Sequence, residues 1–371
     1  MRTHRLLPLL LVTAVAQASW AASGELERIV VHGRSLEDNV AGESADRSVY
    51  VYLPPDYAME LDRRYPVLYL LHGIADHNDV WVEPWGEESE YATLPDLMDR
   101  GIREGRVRPM IVVMPDARTS LTGCFYANSQ VKGRWTDFIA TELVAEIDAR
   151  YRTVVDRRAR GIAGHSMGGH GALRLGFLRP EVFSVVYGLN SALADWGEDV
   201  SIENPLLDVL PEIEGFEDLP EDNFYPIAVI GVSQAFSPNP DRPPFFVDLP
   251  FGTEGGILSE RGPGWDRWNE NLLVNLVVAH EIGARRLTAI RFDTALTDEF
   301  SHIPSSNHSL SSRMTELGIP HTFEMYNGDH RNRLWGKWGR LYTEVLPYFS
   351  DLLAVPQEET AVTVGVGAAA H

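Results

Sequence analysis

The chain has 371 residues, 44% of them hydrophobic and 23% charged, and carries a formal net charge of −21. A core of ordinary globular proportions is within reach, while so acidic a surface opposes approach to phosphate backbones and anionic lipid, which excludes a nucleic-acid partner. Cys124 is the sole cysteine, so no intrachain disulfide forms, and it reads as a buried structural thiol.

At the N-terminus, Arg2 and Arg5 precede an apolar stretch from Leu6 to Ala18, and Ser19-Trp20-Ala21 supplies small residues at the cleavage positions. This pattern predicts an export signal over residues 1–21. Cleavage after Ala21 removes two arginines and no acids, taking the charge to −23. The mature chain is expected to be periplasmic or secreted. No later run is long and apolar enough to span a bilayer, so no membrane insertion of the mature chain is expected.

Leu26 to His32 and Val49 to Leu53 read as an antiparallel strand pair at a sheet edge. The pattern then changes to short, continuously apolar runs at Val67 to Leu71, Met110 to Met114, Gly161 to Ala163 and Phe183 to Tyr187. Such runs belong to strands buried on both faces of a parallel sheet. Between them, Trp135, Ile139, Leu143, Ile147 and Tyr151 recur every four residues and predict a helix over 135–151. A second helix is expected directly after Ser166. Strands at Leu287 to Phe292 and Thr322 to Tyr326 bracket a helix around Ser309 to Leu317, ended by Gly318-Ile319-Pro320.

Residues 192–286 break this alternation with frequent Pro and Gly and read as an insertion or cap, with a strand at Ile227 to Val232 and a helix at Asn269 to Ile282. Its aromatics Trp196, Phe216, Phe236, Phe245, Phe246, Phe251, Trp265 and Trp268 exceed what a simple connection needs. They are expected to cover part of a ligand pocket. Residues 22–355 thus read as one domain, and residues 356–371 as a disordered tail.

The strongest chemical signal is Gly164-His165-Ser166-Met167-Gly168, set between a predicted strand and a predicted helix. A sharp turn there exposes the Ser166 hydroxyl as a nucleophile, and the glycines relieve backbone crowding. The Met167 amide, opening the helix, is one candidate donor to an oxyanion. Ile74, in His72-Gly73-Ile74 directly after the strand at Val67 to Leu71, is the second. His330, in Tyr326-Asn327-Gly328-Asp329-His330 after the last strand, is the best-placed base. The acid is Asp293, Asp298 or Glu299, all of which follow the strand at Leu287 to Phe292, and Asp298 on the loop is better placed than Asp293 to reach an imidazole.

Together with Tyr52-Leu53-Pro54-Pro55, Tyr65-Pro66-Val67, Leu71-His72-Gly73 and Val113-Met114-Pro115-Asp116, these motifs resemble the putative esterase family. That family includes S-formylglutathione hydrolases, feruloyl and acetylxylan esterases, enterochelin esterases and mycolyltransferases. The likeness runs from Leu26 to Leu353 and is least in the 192–286 segment. It implies an α/β-hydrolase fold, with a mostly parallel central sheet, helices on both faces and the inserted cap-like segment. It also implies Ser166 as nucleophile, His330 as base, Asp298 as acid, and Ile74 and Met167 as oxyanion donors. Formylglutathione hydrolases are cytosolic, whereas this chain begins with an export pattern, so the resemblance leaves the substrate open.

With no HExxH, Cys cluster, dinucleotide GxGxxG or phosphate-loop motif, neither cofactor nor metal is implied. The expected activity is hydrolysis of a small-molecule or carbohydrate-linked carboxylic ester through an acyl-enzyme. An acyltransferase with the same triad and a non-catalytic binding protein on the same scaffold are the alternatives. Oligomeric state is not legible in the sequence.

Overall fold

The apolar runs assemble into one eight-stranded sheet in the computed structural model of this chain, which describes residues 23–84 and 91–355. The export signal expected at 1–21 and the tail expected at 356–371 lie outside the described residues. The strands are β1 (Glu25–His32), β2 (Asp46–Leu53), β3 (Val67–Leu71), β4 (Ile111–Pro115), β5 (Arg160–His165), β6 (Val185–Leu189), β7 (Ala289–Ala295) and β8 (Thr322–Tyr326). They stand in the order β1-β2-β4-β3-β5-β6-β7-β8. The first two pairings are antiparallel and the rest parallel, as expected of a mostly parallel α/β sheet edged by a hairpin.

Alternation along the central strands feeds two cores, one on each face. Val67, Tyr69 and Leu71 pack on one side with Ile111 and Val113, while Leu68 and Leu70 pack on the other with Val112 and Met114. Each core needs a covering layer of helices. Helix α1 (Leu94–Arg103) starts from a Thr93/Asp96 capping box and contributes Leu94, Leu97 and Met98 to the second core.

The helix expected at 135–151 forms as one run, α2, passing from Trp135–Asp137 through a wide turn at Phe138–Leu143 into Val144–Arg150. Its apolar residues are spaced by four, which outruns the 3.6-residue turn and rotates the stripe away from the core. A wide turn takes up the excess, and Trp135, Ile139, Leu143, Ile147 and Tyr151 all remain buried. Helix α3 (Met167–Leu178) follows Ser166 and is buried along nearly its whole length.

The insertion departs from expectation. Ile227 to Val232 lies not in a strand but inside helix α4 (Phe224–Phe236), whose N-terminus is capped by the Asn223 side chain accepting from the Tyr225 amide. Its residues are apolar because most of the helix is buried, and a short apolar run reads alike in a buried strand and a buried helix. The helix expected at Asn269 to Ile282 is broken into Trp265–Asn271, Leu273–Ala279 and Glu281–Arg285. At the first break, buried Leu272 is extended and the Val274 amide bonds to the Ala194 carbonyl, at 2.9 Å.

Helix α5 (His302–Glu316) begins seven residues before the expected Ser309, and α6 (Leu346–Leu352) closes the domain. Among the described residues no helix is long and apolar enough to cross a membrane.

Candidate active site

Ser166 occupies the turn between β5 and α3 with φ 57° and ψ −117°, a left-handed conformation that is strained for a residue bearing a Cβ. Its amide donates to the Leu189 carbonyl at 2.9 Å, and its carbonyl accepts from the His170 and Ala192 amides, which pins the turn. The flanking glycines are required sterically. A Cβ on Gly164 meets the Gly168 carbonyl oxygen at 2.3 Å, and one on Gly168 meets the Leu71 oxygen at 2.1 Å.

His330 and Asp298 come together from the loops after β8 and β7, at the same C-terminal edge of the sheet. Asp298 Oδ2 lies 2.8 Å from His330 Nδ1, with Asp298's side chain wholly buried and His330's nearly so. The other Asp298 oxygen accepts from the Phe300 amide at 2.9 Å, which fixes the carboxylate plane. A carboxylate on Nδ1 selects the tautomer with the proton there and leaves Nε2 as a base.

Asp293 and Glu299 take other places. Asp293 lies inside β7 rather than after it, and accepts from the Tyr187 hydroxyl at 2.7 Å and from Arg340 Nε at 2.8 Å in a buried network. Glu299 accepts from the His330 backbone amide at 3.1 Å.

Several residues that hold His330 carried no signal in the sequence. Its carbonyl accepts from His165 Nε2 at 2.8 Å and Asn190 Nδ2 at 3.1 Å, while Asn190 Oδ1 accepts from the Ala295 amide. Asn190, directly after β6, therefore ties the base-bearing loop to β7. The His165 ring lies 4.5 Å from that of His330, and burial pushes its imidazole well below the usual range, keeping it neutral beside the candidate base.

Ile74 and Met167 flank Ser166. Met167 is the first residue of α3, and Ile74 lines the same cavity as Ser166. Neither amide donates to a protein acceptor among the described residues. The Ile74 loop is held at both ends. His72 Nε2 accepts from the Ala117 amide at 2.7 Å, so the ring proton sits on Nδ1, 2.8 Å from the Gly73 carbonyl. The Ala75 amide donates to the Thr122 carbonyl at 2.8 Å.

The Thr122 segment is organised in turn by Lys132, a fully buried lysine that sequence reasoning passed over. Its Nζ donates to Thr119 Oγ1 (2.7 Å), the Leu121 carbonyl (2.5 Å) and the Gly123 carbonyl (2.7 Å). Burial pulls its amine down to about 8, and those three acceptors are what make a buried ammonium tolerable. Cys124, in the same segment, is buried, and burial pushes its thiol up to about 12, in keeping with an inert structural role.

Beside Ser166 opens a largely apolar cavity. Its aromatic walls are Phe125, Phe224, Tyr225, Trp268 and Phe300. Of the insertion aromatics expected to cover a pocket, only Trp268 lines this one. Trp196 and Trp265 stack behind it, with ring planes 4° apart and centroids at 4.5 Å, and Phe236 packs edge-on to Trp268. Phe245 pairs with Phe216. The insertion reaches the cavity instead through α4, whose Phe224 and Tyr225 sat in the segment read partly as a strand.

Comparison with known proteins places the chain in a family. The family described as "Putative esterase" matches residues 43–340. Esterase Rv1288 of Mycobacterium tuberculosis is 36% identical over 127 residues, covering 34% of this chain and 25% of that protein. An endo-1,4-beta-xylanase/feruloyl esterase of Xylanibacter ruminicola is 33% identical over 160 residues, covering 41% of this chain and 21% of that one. The chain thus spans about a quarter of the length of these relatives.

Among solved structures, a ferulic acid esterase superposes with a TM-score of 0.60 at 24% identity, covering 89% of this chain and 99% of that one. The S-formylglutathione hydrolase FrmB of Staphylococcus aureus does so with a TM-score of 0.56 at 16% identity, again covering 89% and 99%. These structural likenesses establish the α/β-hydrolase fold. With the family match running over most of the sheet and every loop that carries a candidate residue, the chain belongs to the "Putative esterase" family of carboxylic ester hydrolases.

Proposed function

We propose that this chain is an exported serine hydrolase that cleaves a carboxylic ester with Ser166 as nucleophile, His330 as general base and acid, and Asp298 as the carboxylate that orients His330. The observation that carries the reading is the buried Asp298–His330 pair, 2.8 Å apart, at the same sheet edge as a serine held in a strained turn. His330 Nε2 takes the Ser166 proton as Oγ bonds to the ester carbonyl carbon. The negative oxygen that forms is met by the Met167 and Ile74 amides. His330 then returns the proton to the departing alcohol, leaving an acyl-enzyme, and the same steps run with water in place of serine to release the acid.

The cavity beside Ser166 favours an acyl group larger than formyl. One relative's name joins a xylanase to a feruloyl esterase, which supports an ester that is small or carried on carbohydrate. Incubation with a fluorophosphonate followed by peptide mapping is expected to place a single adduct on Ser166, alongside hydrolysis of p-nitrophenyl acetate. An enzyme that is inert to both reagents while folded is not a serine hydrolase.

Export rests on the Arg2 to Ala21 pattern. Intact mass of the protein from its native host is expected to correspond to a chain beginning at Ala22, and retention of Met1 overturns that assignment.

A further inference from the structure

Ile74 and Met167, whose amides are the candidate oxyanion donors, both rest on one segment of irregular chain, and that segment is held by a cation. Thr122 at its centre takes the left-handed conformation, with φ 67°, as do Phe125 and Tyr126 after it, with φ 48° and 53°. Such backbone persists only where its surroundings hold it. The Thr122 carbonyl accepts from the Ala75 amide, next to Ile74, and Gly123 lies so close to Met167 that a Cβ there would meet Sδ at 2.3 Å. A shift of this segment therefore reaches both donor residues.

Lys132 fastens the segment from a separate element. It stands in the turn of a short hairpin formed by Asn128–Ser129 and Gly133–Arg134, where its amide donates to Ser129 Oγ at 3.3 Å and its carbonyl accepts from Trp135 Nε1 at 2.9 Å. From that anchorage Nζ sends its three protons to Thr119 Oγ1 and to the carbonyls on either side of Thr122, those of Leu121 and Gly123. All three acceptors are neutral oxygens, and bonds from an ammonium are about twice as strong as those from an amine. A neutral amine has only two protons, so the Thr119 hydroxyl must reverse to donate and both carbonyl bonds weaken.

We propose that Lys132 is a positioning residue for the oxyanion hole, its ammonium holding the Leu121 and Gly123 carbonyls so that the Ile74 and Met167 amides stay aimed at the site where the ester oxygen acquires charge. This rests on the serine-esterase reading above and adds a pH dependence to it, since the hold slackens when Lys132 loses its proton. Burial brings that loss down to about 8, so the ammonium is present below that pH and gone above it. The charged and titratable groups that face Lys132 are Glu43 and Cys124. Glu43, from the loop before β2, accepts from the Ser120 amide and hydroxyl at 2.7 and 2.6 Å, and burial pushes the Cys124 thiol up to about 12. At the far end of the segment Arg47 donates to the Asp116 and Arg118 carbonyls.

The test follows kcat and KM for p-nitrophenyl acetate from about pH 6 to about pH 10, with alkaline hydrolysis subtracted and circular dichroism confirming the fold at each pH. In the wild type kcat is expected to fall above about pH 8 while KM stays within about twofold. Lys132→Met is expected to lower kcat about 10- to 100-fold below that pH, less than the roughly 10² to 10³ cost of deleting an oxyanion donor, and to lose the descending limb. Its affinity for a trifluoromethyl ketone, whose adduct carries the oxyanion, should fall in step with kcat/KM. Thr119→Val, which removes one acceptor from the ammonium, should bring the limb down by about one pH unit. A flat wild-type profile, a limb or a ketone affinity unchanged in folded Lys132→Met, or an effect confined to KM overturns the assignment. If Lys132→Met fails to fold, the wild-type profile and Thr119→Val decide, and a limb that does not move in Thr119→Val overturns it. Fluorophosphonate labelling of the wild type separates the two levels. A labelled, active enzyme with a flat profile defeats only the Lys132 inference, and an unlabelled one defeats the esterase reading beneath it.

Discussion

Ser166→Ala is expected to lower kcat on p-nitrophenyl acetate by on the order of 10⁴ to 10⁶, to abolish the fluorophosphonate adduct and to leave the protein folded. On the proposed mechanism Ser166 Oγ is the group that bonds to the acyl carbon, so without it His330 and Asp298 have nothing to activate. Stability should hold or rise slightly, because the turn is fixed by the backbone bonds of Ser166 to Leu189, His170 and Ala192, and alanine keeps all of them. The left-handed conformation at this position is equally strained with alanine. Retention of more than about a tenth of the activity, against losses of that size, would assign the chemistry elsewhere.

The second large effect separates two aspartates that lie five residues apart. Asp298→Asn is expected to cost about 10⁴ in kcat with little change in melting temperature, because an amide retains the hydrogen bond from Phe300 but donates as readily as it accepts toward His330 Nδ1. The imidazole then settles in the wrong tautomer, and the cation formed as it takes the proton has no counter-charge. Asp293→Asn is expected to do the reverse. Its carboxylate meets Arg340 and Tyr187 in a buried network, so neutralising it weakens folding by about 3 kcal/mol, the low end for a broken buried pair, because Glu324 still meets Arg340 at 2.8 Å. Activity per folded molecule should change far less than in Asp298→Asn. Thermal melts and kcat measured on the same two preparations check both halves. An Asp293 variant that is stable but inactive would move the acid into β7.

Much of this architecture was legible before any coordinates because it is written in local pattern. Val67 to Leu71 and Thr322 to Tyr326 were bounded to the residue, the first because a strand buried on both faces is apolar throughout, the second, a partly exposed edge strand, because Gly318-Ile319-Pro320 and Asn327-Gly328 punctuate its two ends. The Ser166 turn was legible because two glycines are sterically obligatory around it. Proximity in sequence also narrowed the acid to three residues.

The remainder depended on partners far away in the chain. Ile227 to Val232 shows the limit, since burial by surrounding elements makes a helix as uniformly apolar as a strand. The helix expected from Ser309 starts at His302 because a carboxylate 103 positions earlier accepts its first amide, a cap that no neighbouring residue announces. Asn190 and His165, which hold the His330 carbonyl, and Lys132, which gathers three acceptors beside the Ile74 loop, are ordinary residues until the sheet brings their partners to them. Sheet, turn and candidate nucleophile follow from short-range sterics and hydrophobic period, which act along the chain. The choice between Asp298 and Asp293, and the pairing of Asp199 with His302 beside Ser166, follow from which buried polar groups meet across it, and that is decided only when distant segments pack.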